Sequence, residues 1–139
     1  MIYTSYFANM FKLDKSKCVA ICRWKPKWYT GAQYIDVAPT ESMIRDYKSN
    51  TGEYKAKVER YIKDYNQSVL SKLDPAKVFR DLDGKILLCY EKPTDFCHRH
   101  LLAEWLREYG YPCKEWGFEK ELKIQEPQKP LEEVQLSLF

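Results

Sequence analysis

The sequence contains no apolar run that approaches membrane-spanning length, no charged-then-apolar stretch at its start, and no CxxC or HxxxH pair. The first absence excludes a spanning helix. The second, with an odd count of five cysteines, argues for a reducing cytoplasm and free thiols rather than a disulfide framework. The third leaves any metal set to be drawn from the scattered residues Cys22, Cys89, Cys97, His98 and His100, with no spacing that anchors tetrahedral geometry. Neither a metal nor a cofactor is expected.

At 139 residues the chain suits a single domain, large enough to bury a core without staples. A hydrophobic content of 45%, with 15% aromatic, excludes global disorder. Eleven tyrosines and four tryptophans suggest a surface or cleft lined with flat amphipathic rings. Charge is unevenly shared: residues 1–124 carry 22 basic and 17 acidic side chains, a net +5, and residues 125–139 carry one and three, a net −2. The body is therefore mildly basic and the tail acidic.

The chain is organised around residues 85–110, KILLCYEKPTDFCHRHLLAEWLREYG. Ile86-Leu87-Leu88-Cys89-Tyr90 is a continuous apolar run launched by the Asp83-Gly84 turn, which suits a strand covered on both faces and hence a parallel sheet. Pro93 stops it, Thr94 or Asp95 is placed to cap a helix over about 96–109, and Gly110 with Pro112 ends that helix. Leu101, Leu102, Trp105, Leu106 and Tyr109 form its apolar stripe. By this periodicity Cys97 and His98 lean toward the sheet, and His100 and Arg107 look outward. A helix N-terminus favours a thiolate and binds anions, so Cys97, His98 and Arg99 offer a nucleophile, a base and a charge clamp. The same residues also suit plain packing, Cys97 as a small buried side chain and His98 as a donor to a loop carbonyl.

The run LLCYEKPTDFCHRHLLAEWL resembles the signature of domain of unknown function 488, where a strand and an acidic loop precede Cys-His-Arg at the start of a helix. Ile2-Tyr3-Thr4 followed by Asn9 is similar to that family's first strand and loop, and Arg23 with Pro26 to its second strand end. The family's Gly-His in the first loop and its Asp before that arginine are replaced here by Tyr6-Phe7 and Ile21. The resemblance spans roughly residues 1–118; it implies an α/β fold and a Cys-His-Arg site without an established reaction.

Elsewhere, Ile2–Tyr6 reads as an opening strand and residues 18–23, CVAICR, as a second, with Cys18 and Cys22 on one face packing as small hydrophobes. Residues 24–31 interleave Trp24, Trp28 and Tyr29 with Lys25 and Lys27 beside Arg23. Aromatics for stacking and cations for phosphates make Arg23, Trp24, Lys25, Lys27 and Trp28 a candidate nucleic-acid surface, unless the tryptophans merely plug the domain edge. A short helix over 38–50, a long amphipathic one over 53–73 and a third over 76–82 capped by Asp74-Pro75 follow. Pro112-Cys113-Lys114-Glu115-Trp116 suggests a last edge strand, with Cys113 beside the central one. The expected class is a single small three-layer α/β domain over 1–124, with a mostly parallel sheet flanked by helices. The loops after Tyr6, Arg23 and Tyr90 then share the carboxyl edge where open α/β proteins bind ligands.

Residues 125–139 are too polar and proline-punctuated to fold and read as a flexible tether. They end in Gln135-Leu136-Ser137-Leu138-Phe139, an apolar docking peptide with Leu138 and Phe139 as anchors and Gln135 as a polar fix. The pentamer is similar at every position to the QLSLF/QLDLF motif by which bacterial DNA polymerases and repair proteins bind the β sliding clamp. The expected function is that of a cytoplasmic protein, bacterial or phage, brought to DNA by that clamp and acting on nucleic acid or a nucleotide through the Cys97/His98/Arg99 crevice. The rival is a non-catalytic clamp-binding adaptor or phage-type clamp inhibitor. No membrane partner is expected, and a monomer is.

Overall fold

The computed structural model describes residues 1–49 and 52–117. Residues 135–139, the candidate docking peptide, lie outside them. Five strands, β1 (Ile2–Tyr6), β2 (Cys18–Ala20), β3 (Ala32–Gln33), β4 (Ile86–Cys89) and β5 (Cys113–Glu115), form one sheet in the order β3-β2-β4-β1-β5, and every pair is parallel. Among the described residues, four α-helices, α1 (Glu41–Lys48), α2 (Tyr54–Ser68), α3 (Pro75–Leu82) and α4 (His98–Glu108), complete the α/β layering.

The strand order decides which face each connection covers. From β1 to β2 and on to β3 the chain moves one way across the sheet; from β3 to β4 and from β4 to β5 it moves the other way. Right-handed crossovers therefore send the two sets to opposite faces. One face receives all four helices, packing Met43, Val58, Tyr65, Val78, Leu82, Leu102 and Leu106 on Ile2, Val19 and Leu87. The other receives the 3-10 turn Phe7–Lys12 and the loop around Tyr29, which cover Cys18, Ala20, Cys22, Ile86 and Leu88. Cys18 and Cys22 share this second cluster, as their spacing implies.

β4 is the middle strand, and all four of its residues are buried, which is why its sequence is continuously apolar rather than alternating. Leu87 and Leu88, each fully buried, contribute about 1.5–3 kcal/mol apiece by leaving water. Truncating either to alanine would cost about 2–5 kcal/mol once the cavity is counted. The helix boundaries follow local chemistry: Thr40 accepts from the Met43 amide at 3.2 Å, Asp74 from the Ala76 amide at 3.1 Å, and Gly110 takes φ +89° just past α4.

Two expectations are corrected here, and one element is new. β5 pairs with β1, so Cys113 stands opposite Ile2 and not beside the central strand. The second strand is shorter than residues 18–23: the Ile21 amide still donates to the Leu88 carbonyl at 3.0 Å, but from Cys22 the chain turns away to shape the carboxyl edge, with Ile21 and Cys22 both buried. A short edge strand, β3, follows the Trp24–Trp28 region; its two residues carry too little pattern to be read from sequence.

Candidate active site

The connections from β2 and β4 leave in opposite directions, so a crevice opens between the carboxyl ends of these adjacent strands, where open α/β sheets place their ligands. A cavity of about 110 Å³ occupies it, large enough to hold water or a small ligand group. Cys22, Arg23 and Trp24 line it from the β2 side, Cys89, Tyr90 and Glu91 from the β4 side, and Cys97 and His98 from the start of α4.

Cys97, and not Thr94 or Asp95, caps α4: its backbone is extended (φ −160°, ψ 146°) and its Sγ accepts from the Arg99 amide at 3.5 Å. That position carries Cys97 over the end of β4, where its sulfur meets that of Cys89 in a disulfide contact, the Cα atoms 7.8 Å apart. The expectation of five free thiols thus holds for Cys18, Cys22 and Cys113, all buried. Burial raises the pKa of all three, Cys22 to about 11 and Cys113 to about 12, and keeps them as inert thiols at neutral pH.

His98 is buried, its ring 5.7 Å from that of Tyr65. Its Nε2 lies 2.8 Å from the Ile21 carbonyl oxygen, which can only accept, so Nε2 carries the proton. Burial, reinforced by Arg99, pushes the His98 pKa down to about 4 against the opposing hydrogen bond, and the ring is neutral. Its Nδ1 lone pair therefore faces the Cys97 Sγ, 3.9 Å away.

Arg99 is fully buried and does not line the cavity. Its Nε and Nη2 donate to the two carboxylate oxygens of Glu115 at 3.1 and 2.9 Å; Nη1 donates to Cys89 Sγ at 3.0 Å and to the Glu91 carbonyl at 2.7 Å. Thr4 Oγ1 completes the network with a 2.7 Å hydrogen bond to Glu115. With four of its five N–H groups so engaged, Arg99 holds Cys89 and the Glu91 loop in place, and the guanidinium at the cavity wall is that of Arg23, anchored by its Nε on the Pro39 carbonyl at 2.7 Å.

His100 and Arg107 do not look outward as the helical pattern suggests. Arg107 reaches the Cys113 carbonyl at 2.9 Å, and His100 Nε2 is buried without a hydrogen-bond partner among the described residues. At the rim, Trp24 and Trp28 are 51% and 61% exposed, so they do not plug the edge; Tyr29 does, packing under Phe7. Lys25 and Lys27 are exposed beside them, and Tyr90 Oη donates to the Trp24 carbonyl at 2.7 Å.

Glu91 and Glu115 belong to the site but carry no role in the sequence reading, and Cys89 enters that reading only as one of five scattered metal-ligand candidates. Glu91 is exposed as a residue, yet its Oε1 turns to within 3.8 Å of Cys89 Sγ, where loss of water raises its pKa. The Cys-x-Glu spacing at the strand end was the available signal. For Glu115 there was none, because only the β1–β5 register brings it beside Thr4.

A family model, DUF488-N3a, described as the active DUF488-N3 subclade, matches residues 16–110. The chain belongs to the DUF488 family. The matched segment holds β2, β3, β4 and α4, and with them the whole cavity wall; β1 and the Glu115 strand fall outside it. No curated protein and no solved structure matches the chain. Among the described residues no helix is long and apolar enough to cross a membrane.

Proposed function

We propose that this DUF488 protein acts on nucleic acid or a nucleotide at the β2/β4 crevice and is brought to DNA by docking its last five residues on a bacterial sliding clamp. One observation carries the first half: a single cavity is walled by Cys97 and His98 and also by Arg23 and Trp24. A reactive sulfur with a neutral imidazole beside it thus shares a space with a cation and an exposed indole, the groups that hold a phosphate and stack on a base. Lys25, Lys27 and Trp28 extend the same surface outward. The reaction belongs to the cavity's sulfur and imidazole groups, with Arg99 as a positioning residue behind them.

The second half rests on Gln135, Leu136, Ser137, Leu138 and Phe139 at the end of a polar, proline-containing stretch. Burying the three apolar side chains at about 1.5–3 kcal/mol each, less the entropy of ordering the peptide, gives an affinity on the order of micromolar. Simultaneous contact of the basic body with DNA threaded through the clamp would raise it. Calorimetry of the full chain against purified clamp tests this: Leu138→Ala with Phe139→Ala should remove the binding heat and leave thermal unfolding of the domain unchanged. Equal binding by both proteins would end the clamp reading.

A further inference from the structure

Cys89 Sγ, Cys97 Sγ and an imidazole nitrogen of His98 all lie within 4.8 Å of one another at the cavity wall. We infer that these three side chains form a three-ligand site for a divalent, thiophilic metal ion such as zinc, with an open coordination position facing the cavity. The inference concerns the ligand set alone and does not depend on the clamp or on which substrate the cavity takes.

Three features of the geometry point this way. First, the Cα atoms of Cys89 and Cys97 are 7.8 Å apart, wider than the roughly 4.4–6.8 Å frame of a disulfide, which would have to contract to hold one comfortably. Two thiolates on one tetrahedral ion, each bonded at about 2.3 Å, leave their sulfurs about 3.8 Å apart and suit a wider frame. Second, each sulfur already accepts an N–H from Arg99, Cys89 from Nη1 at 3.0 Å and Cys97 from the amide at 3.5 Å, as ligating thiolates do. Third, the Ile21 carbonyl holds the proton of His98 on Nε2 and leaves Nδ1 as a lone pair, the outer-shell arrangement of a metal-bound histidine. The 3.9 Å between that nitrogen and Cys97 Sγ is close to the roughly 3.6 Å that shared tetrahedral ligation sets.

Two cysteines and a histidine are three protein ligands, the number that leaves a position for water or a substrate oxygen. Glu91, with Oε1 3.8 Å from Cys89 Sγ, lines the same cavity without belonging to the trio.

The test is titration of the reduced, metal-free full chain with cobalt(II). The expected result is a near-ultraviolet thiolate-to-cobalt absorption saturating at one ion per chain and bleached by zinc. Cys89→Ser and Cys97→Ser should each remove it, whereas Cys22→Ser, on the same cavity wall but outside the trio, should leave it. If the serine variants do not fold, the wild-type protein decides by alkylation: zinc should slow modification of Cys89 and Cys97 and leave Cys18 and Cys113 unaffected. A reduced protein that takes up no cobalt, a band undiminished in Cys97→Ser, or alkylation rates indifferent to zinc would each overturn the inference and leave the pair as a disulfide only.

Discussion

Arg99 and Glu115 form a two-pronged ion pair, Nε to Oε1 at 3.1 Å and Nη2 to Oε2 at 2.9 Å, with both side chains withdrawn from water. It ties the first turn of α4 to the edge strand β5 while the remaining guanidinium nitrogen reaches across to Cys89 and the Glu91 carbonyl. A residue that looks like a substrate clamp in sequence is thus the fastening between the reactive helix end and the sheet.

Removing one partner strands the other as a buried charge. Glu115→Ala should therefore destabilise the domain by about 3–5 kcal/mol, measured from the urea midpoint. Replacing both residues by apolar ones of similar size should recover much of the loss, because the desolvation of two ions disappears with them. A loss under 1 kcal/mol in the single variant would mean that Arg99 finds water or another acceptor.

Thiol reactivity should divide the cysteines by environment. In reduced, metal-free protein near neutral pH, Cys97 should be alkylated faster than Cys18, Cys22 or Cys113, since it alone caps a helix and lines the cavity beside His98. Burial raises the pKa of the other three, so they hold their protons as pH rises past 9. Labelling of Cys22 should climb with pH until about 11 and that of Cys113 until about 12. The linked effect on stability has the same sign: the unfolded chain loses these protons first, so stability falls between pH 9 and 12. Site-resolved mass spectrometry across pH 7–10 checks the order, and a slowest rank for Cys97 would refute it.

Single-stranded nucleic acid should bind the basic, aromatic rim, with affinity falling as salt rises. Trp24→Ala should weaken binding by about 1–3 kcal/mol, the worth of one stacked base, and Lys25→Ala should lower the salt dependence by roughly one contact's share. Both side chains are exposed, so thermal unfolding should not move. Fluorescence titration at low and high salt measures all of this; a wild-type protein without affinity in low salt would remove the rim from the account.

Much of this architecture could be read from residues whose local chemistry matches their final place. The apolar run at Ile86–Cys89 is buried on both faces, and Asp74-Pro75 and Thr40 start the helices where their side chains cap them. The crevice sits where parallel strands put the loops after Arg23 and Tyr90, along the carboxyl edge of the sheet. What escaped depends on contacts distant in sequence. The role of Arg99 is set by Glu115, sixteen residues away, and the inward turn of His100 by packing that helical periodicity does not encode. The meeting of Cys89 with Cys97 has a similar origin: an eight-residue separation with no CxxC spacing becomes a contact because the loop folds α4 back over its own strand.

Protection of Cys97 by bound nucleic acid tests the crevice most directly. Reduced, metal-free protein would be alkylated with and without a saturating single-stranded oligonucleotide, and each cysteine read separately. A ligand seated between Trp24 and His98 should slow modification of Cys97 in proportion to its occupancy and leave Cys18 and Cys113 unchanged. If the oligonucleotide binds and Cys97 reacts at its free rate, nucleic acid occupies some other surface, and the crevice is not where this protein meets it.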